Sequence, residues 1–380
     1  MPKIGFLLVI VVYLLINFYV YLHGRWALPA HSGIQGIYLG LFILCAASFF
    51  VGMLLSKFCP WQVGAVFSNI GGWWLLIALF YLLLIVVFTD LLRLAQHFIH
   101  FYPAFVTKHY AFVKLIYFCV ALAIPAIATV VGHHNFTHPQ VVTLNLEVAP
   151  KKSLLDNLKI VAVSDIHLGE VVRKKQLQRY VNLINEQQPD IIFIVGDLID
   201  RSLAVVQAQG MAQILQQLHA HYGCYAVLGN HDYHAQPDAV LDFMRDAGII
   251  PLRDTAVVVD NNFIVAGRDD YSNRERKPLS AFVDSSLALP VVLLDHQPAQ
   301  PAESVKQHID LQISGHTHNG QIFPLMYVVK KIYNIAYGYK KVGDTHFYVS
   351  SGLGLWGAPI RIGTQSEVVC VNLKFANALP

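Results

Sequence analysis

The chain has 380 residues, 55% of them hydrophobic and only 13% charged, against about 25% charged in an ordinary soluble domain. A net charge of +3 is too small to argue for a nucleic-acid partner, and the five cysteines form no disulfide framework. The shortage of charge is confined to residues 1–132 and ends by about 139, so 1–138 reads as a transmembrane region and 139–380 as one globular domain.

Four apolar runs come first in chain order: 4–22, 34–56, 66–89 and 115–132. Each is close to the roughly 20 residues that cross a bilayer. Lys3 precedes the first run as it would in a signal peptide. The run is longer than the ~7–15 residues of a signal core and no A-x-A site follows, so a retained helix is expected. Pro125 would kink the fourth helix, which neighbouring helices tolerate. Trp26, Trp61, Trp73 and Trp74 fall near run ends, as in aromatic belts. No Asp, Glu, Lys or Arg lies deep in a run, which favours an anchor over a channel or transport path. Between the third and fourth runs, Asp90–Lys114 mixes Phe98, Phe101, Phe105 and Phe112 with His97, His100, Lys108 and His109. It reads either as an interfacial helix or as a connecting loop with aromatic anchors. Four spans put Lys3, Lys57 and the soluble domain on one side and Arg25, Arg93, Lys108 and Lys114 on the other. The positive-inside rule places the second set in the cytoplasm. A plasma (inner) membrane protein whose domain faces the periplasm or cell exterior is therefore expected.

Val141–Val148 alternates apolar and polar residues, a half-buried strand that opens the domain. A pattern then repeats: a short β-branched run ends at chemically able residues. Ile160–Val163 leads to Asp165 and His167, and Ile191–Val195 to Gly196, Asp197 and Asp200. Tyr225–Leu228 leads to Gly229, Asn230, His231 and Asp232; Val291–Leu294 to Asp295 and His296; Leu311–Ile313 to Gly315, His316 and His318. Helical stretches at about Lys174–Gln187 and Val205–His221 separate the early runs, giving alternating α and β structure. In such sheets ligands collect beyond the carboxyl ends of strands. Imidazoles and carboxylates together suit Mn, Fe, Zn or Co. The set exceeds what one ion needs, whereas two ions about 3.5–4 Å apart would use it for in-line displacement at phosphorus. Gly196, Gly229 and Gly315 each precede a ligand and allow a sharp turn there.

These motifs, D-x-H, G-D-x-x-D, G-N-H-D, a later His and G-H-x-H, resemble the calcineurin-like metallophosphoesterases over about Val141–Leu373. Gly315–Gln321 and Gly352-Leu353-Gly354 are similar to its bacterial membrane-associated branch with N-terminal transmembrane helices. The resemblance implies a four-layer α/β/β/α sandwich and two divalent metal ions. It assigns Asp165, His167, Asp197 and His318 to one ion and Asp197, Asn230, His296 and His316 to the other, with Asp197 bridging. It makes His231 the non-ligand histidine that meets phosphate and protonates the leaving group, Asp232 the group that orients it, and Asp200 a partner of the loop or a metal-bound water.

Other residues carry weaker expectations. Arg173, His234 and Arg361 are candidates for substrate contact. Arg268 and Asp270 lie in loops that border the cleft. His133, His134 and His138 read as a polar juxtamembrane linker. The apolar stretch Ile322–Val329 is expected either to touch membrane or ligand or to be buried core. The expected function is hydrolysis of a phosphate ester, lipid-linked because about a third of the chain is committed to the bilayer, by metal-activated hydroxide. Pyrophosphohydrolysis of a nucleotide-linked lipid precursor is the alternative within enzymes, since the same motifs serve monoesters, diesters and pyrophosphates. An inactive metal-bound scaffold or sensor is the alternative outside them. The partners expected are a phosphorylated substrate and membrane lipids; no motif bears on oligomeric state.

Overall fold

Unbroken stretches of Leu, Ile, Val and Phe form four helices: α1 (Lys3–Ala27), α2 (Gly33–Phe58), α3 (Ile70–Ile99) and α4 (Tyr110–Thr137). Each is long and apolar enough to cross a membrane, where a helix satisfies its backbone N–H and C=O groups internally. The computed structural model describes residues 3–29, 33–58, 66–67, 70–149, 151–284, 286 and 288–375. Cys59, Trp61 and the link that precedes the third run lie outside the described residues. The chain divides into two compact units, Met1–Val131 and Gly132–Pro380.

In the first unit, Val20, Phe42, Leu79, Leu82, Val86 and Ala121 form a small core. The third helix runs past its expected end at Thr89 and so carries Asp90 and Arg93 inside it, against the expectation of spans free of charge. Asp90 is tied in: the Tyr19 hydroxyl donates to it at 2.5 Å, His23 Nε2 lies at 3.1 Å and Arg93 Nη1 at 3.1 Å. Pairing lowers the cost of a charge taken out of water. Leu91 and Leu92 between the two charges and Leu94 after them keep the helix apolar. The Asp90–Lys114 segment is thus neither a separate interfacial helix nor a simple loop. It is the ends of α3 and α4 joined through a helical turn at Ala104–Lys108.

α4 also runs on, through Thr137, so His133 and His134 are helical rather than linker. The cause is packing: Phe136 is buried in the core of the second unit. His133 Nδ1 lies 3.0 Å from Pro359 O, Asn135 Nδ2 donates to Arg361 O at 3.1 Å, and Arg361 N donates to Gly132 O at 2.8 Å.

The second unit holds two six-stranded sheets. One runs β1 (Gln140–Val148), β12 (Glu367–Phe375), β2 (Asn157–Val163), β3 (Ile191–Val195), β4 (Cys224–Val227), β5 (Ile250–Pro251). The other runs β10 (Gly338–Val342), β11 (Thr345–Val349), β9 (Leu311–Ser314), β8 (Val291–Leu294), β7 (Phe263–Gly267), β6 (Thr255–Val259). Side chains alternate along each strand. Ile160, Phe193 and Val195 pack with Val265, Val292 and Leu311 between the sheets, while Val161, Ile192 and Ile194 face the helices. Those helices are α5 (Lys174–Glu186), α6 (Leu203–Ala208), α7 (Asn230–His234) and α8 (Pro237–Asp246). α5 buries Leu177, Tyr180, Val181 and Ile184, one stripe at helical spacing. The helix expected over Val205–His221 is broken after Ala208, where Gly210 turns with φ 64°. Ile264, Leu293 and Ile309 with Leu279 cover the far face of the second sheet. The architecture is the expected α/β/β/α sandwich.

Candidate metal centre

β2, β3, β4, β8 and β9 are the strands whose ends carry the motif residues. β2, β3 and β4 run parallel, as do β8 and β9, so each set presents its carboxyl ends together. Beyond them the backbone turns through left-handed conformations that non-glycine residues seldom adopt. Asp165, His167, Asp197, His316 and His318 have φ of 52°, 52°, 52°, 69° and 49°. Strain of this kind persists only where surrounding contacts enforce it, and it concentrates at functional sites. At Gly229 and Gly315 the need is room rather than rotation. A Cβ at Gly229 would meet the Asp197 carboxylate, and one at Gly315 the Asp165 carboxylate.

Three groups of ligand-capable atoms result among the described residues; His167, Asp200 and His231 make one, and the other two consist only of expected ligands. Asp165, His167 and His318 form the first of these two and Asp197, His296 and His316 the second, with the atoms of each group within 4.8 Å of one another. His318 Nε2 lies 3.3 Å from Asp165 Oδ1 and 3.2 Å from His167 Nε2. His296 Nε2 lies 3.2 Å from Asp197 Oδ2. Two donors that share an ion at ~2.0–2.2 Å sit about 3.0–3.4 Å apart, so these spacings fit a divalent cation. The donor chemistry fits as well. His296 Nδ1 lies 2.8 Å from Val195 O and, as the donor to that carbonyl, leaves its Nε2 lone pair toward Asp197. That buried Nε2 has no hydrogen-bond partner among the described residues. A backbone partner that fixes the ring's tautomer is usual for metal-ligating histidines. Asn230 Oδ1 stands 2.8 Å from His316 Nδ1, beside the second group.

Charge is arranged to match. Burial alone would push the Asp165 and Asp197 carboxyls up, but the imidazoles around them, His318 and His296 first, hold both below the usual range. Burial pushes His318 down to about 3, against the pull of Asp165 and with help from His167 and Arg361. Burial, then His296, lowers His316. The site therefore favours anionic carboxylates beside neutral His316 and His318. Against burial, Asp197 raises His296 well above its ordinary value, so a cation bound there would displace the proton on His296.

His231 stands at the edge of the first group, its ring 4.6 Å from that of His167 and its side chain 23% exposed. Its backbone N–H donates to Asp197 Oδ1 at 2.8 Å. The imidazole meets Asp200, not Asp232 as expected. Nδ1 is 3.0 Å from Asp200 O and 3.3 Å from Asp200 Oδ1. Burial works against the charged ring, yet Asp200 and Asp197 raise His231 to about 9. Asp232 is buried and accepts from Gly229 N at 2.9 Å, Ile199 N at 2.9 Å and Leu198 N at 3.3 Å. Facing the backbone of its own loop and of the loop after β3, it ties the two turns together and does not touch the imidazole. Asp200 also lies 3.6 Å from His167 Nδ1.

Arg361 does not reach a cleft. It is fully buried, and the two hydrogens of Nη2 go to Gly354 O at 2.5 Å and Ser351 O at 2.7 Å. It sits 3.3 Å from His318 Nδ1 as a supporting neighbour. His234 is exposed with its ring 5.7 Å from that of His231. Arg173 precedes α5 and donates from Nε to Glu170 O at 2.7 Å. Arg268 is buried and pairs with Glu303 at 2.8 Å. Asp270 is buried and accepts from Gln297 and Ser272. Tyr333, which the sequence did not single out, brings its ring to 6.0 Å from that of His316. An aromatic residue in an apolar stretch carries no signal of such a place.

The chain is similar to known proteins. The family model for calcineurin-like phosphoesterases matches residues 158–320. A transmembrane protein with metallophosphoesterase domain from Danio rerio is 34% identical over 68% of this chain and 62% of its own length. The match therefore spans less than two thirds of that relative. An uncharacterized metallophosphoesterase of Campylobacter jejuni is 31% identical over 80% of this chain and 82% of its own. Another, from Aquifex aeolicus, is 34% identical over 61% and 90%. With its four apolar helices ahead of a two-sheet domain, the chain belongs to the calcineurin-like phosphoesterase family of metal-dependent phosphoester hydrolases.

Proposed function

We propose that this chain hydrolyses a lipid-linked phosphate ester at the membrane on a pair of divalent ions. The placement of Asp197 carries the reading. Its Oδ2 lies 3.2 Å from His296 Nε2 and 3.8 Å from His167 Nε2, so it stands between the two ligand groups as a shared carboxylate would. Asp165, His167, Asp197 and His318 would hold one ion, and Asp197, Asn230, His296 and His316 the other, drawn from Mn, Fe, Zn or Co. Bound there, the ions supply Lewis acidity toward phosphoryl oxygens and a nucleophile at neutral pH. His231 faces the phosphate, and Asp200 holds its ring and its proton. A water oxygen, its proton released to solvent, forms the new bond to phosphorus, the ester P–O bond opposite it breaks, and the leaving oxygen takes the proton from His231, which solvent then restores. The four long apolar helices support a substrate that stays in the bilayer.

The test joins metal analysis of the purified protein to hydrolysis of matched phosphate esters with and without acyl chains, in detergent micelles. A higher kcat/KM for the acylated ester is expected. Equal values would remove the lipid-linked substrate and leave the helices as an anchor. We further read the catalytic domain as lying outside the plasma membrane, since Arg25, Lys108 and Lys114 collect on the opposite side. Protease added to intact spheroplasts should then cut it; full protection overturns the orientation.

A further inference from the structure

Past Ile322, which is buried, the apolar stretch after the last candidate ligand is exposed rather than core. It forms a helix, α9 (Met326–Ile332), with no buried residue. Tyr327, Val328 and Ile332 are 60%, 53% and 66% exposed, and Trp356 nearby is 46% exposed. Leu325, Val328 and Ile332 fall at i, i+3 and i+7, one face of the helix. From Gln321 to Val342 the chain carries Lys330, Lys331, Lys340 and Lys341 and no acidic residue. An apolar face in a segment whose charges are all lysines suits a surface that is apolar beneath an anionic layer. Tryptophan favours the same boundary.

The backbone connections of this segment lead the same way. Ile362 N donates to Gln321 O at 2.9 Å and Phe323 N to Ile362 O at 2.8 Å. Gln321 Nε2 donates to Trp356 O at 3.0 Å. The 359–362 segment is in turn bonded to Gly132, His133 and Asn135, in the last turns of α4. The exposed helix is thus one layer of hydrogen bonds away from the point where the fourth apolar helix enters the domain. It also hangs directly on the candidate metal centre. Thr317, between the two histidines, donates from Oγ1 to Ala336 O at 2.7 Å, and Tyr333 at the end of α9 sits against His316.

We propose that α9, with Trp356 and Lys330–Lys331, is a docking surface for an anionic phospholipid bilayer and sets the rim of the metal centre at the headgroup layer. This deepens the lipid-linked reading and rests on it for its functional meaning, while the docking itself is measured separately. The full chain carrying Val328→Cys is labelled with an environment-sensitive fluorophore and reconstituted with brominated phosphatidylcholine. Asp242→Cys, on the exposed side of α8, serves as control, and the unmodified chain labelled in parallel supplies the background from its own cysteines. Quenching several-fold stronger at Val328 than at Asp242 is expected when phosphatidylglycerol is present. The double variant Lys330→Glu, Lys331→Glu should bring it down to the level seen in phosphatidylcholine alone. Equal quenching at the two positions overturns the proposal, and crosslinking between copies through Val328→Cys would then make a second copy of this chain the occupant. Hydrolysis of phosphatidic acid against p-nitrophenyl phosphate is followed in the same vesicles. Quenching without preference for phosphatidic acid keeps the docking surface and sinks the lipid-linked substrate. Preference without quenching does the reverse.

Discussion

Asp197 and His231, in neighbouring turns joined by a hydrogen bond, make different contributions. Asp197 reaches both ligand groups, so Asp197→Ala should strip metal from both positions. His231→Ala should keep both metals and lower kcat by about 10²–10⁴-fold, the usual worth of a positioned proton donor. Metal content by mass spectrometry beside turnover separates them; a His231 variant that loses its metals would be a ligand variant instead. A second residue-scale prediction lies far from the metals. His346 is buried, with Nδ1 3.0 Å from the Tyr339 hydroxyl and Nε2 3.1 Å from Glu147 O. Burial, then Lys341, lowers its pKa in the folded chain. The unfolded chain therefore takes up a proton that the native state refuses. This contribution is complete above the unfolded value of about 6.5 and is lost as pH falls toward the folded one. His346→Gln should flatten the pH dependence of the denaturant midpoint in that range, and identical curves would count against it.

At the scale of elements, strands proved more readable than helix ends. The runs ending at Asp165, Asp197, Asn230, His296 and His316 are short, β-branched and followed at once by polar residues, so both the strand and its terminus are written locally. What each terminal side chain faces is not. Asp200 and Asp232 lie in similar motif positions, and only the path of the backbone turns one toward His231 and the other toward the N–H groups of Leu198, Ile199 and Gly229. Arg361 looked like a cleft cation because its burial depends on carbonyls from Ser351 and Gly354, which no local pattern announces. The ends of α3 and α4 were misjudged for a related reason: Asp90 and Phe136 are accommodated by partners distant in sequence. Phe136 gives this a measurable size. Truncating a buried aromatic costs about 3–5 kcal/mol, so Phe136→Ala should lower the unfolding midpoint of the domain. A domain begun at residue 139 should be weakened further, because Arg361 N and Ser366 N lose their acceptors Gly132 O and Asn135 O. A chain begun at residue 132 and one begun at 139 with equal midpoints would show that the helix end is not part of the fold.

For the whole molecule, the pairing of β1 with β12 has a consequence for synthesis. Asn145 and Asn372 bond across these strands although 227 residues separate them. Between them in the chain lie all the candidate metal ligands. β12 also separates β1 from β2 in the sheet, so the strand joined to the membrane helix has no neighbour until the last strand has been made. Contacts this distant slow folding, and exposed strand edges invite pairing with other chains. A nascent chain therefore keeps its first sheet open at β1 until β12 has been translated. Premature stops before Glu367 should yield membrane-inserted, protease-sensitive chains rather than shortened enzymes. Pulse-labelling followed by limited proteolysis would read this directly: protection should arise in one step after β12 emerges, and protection that grows as each motif is synthesised would contradict it.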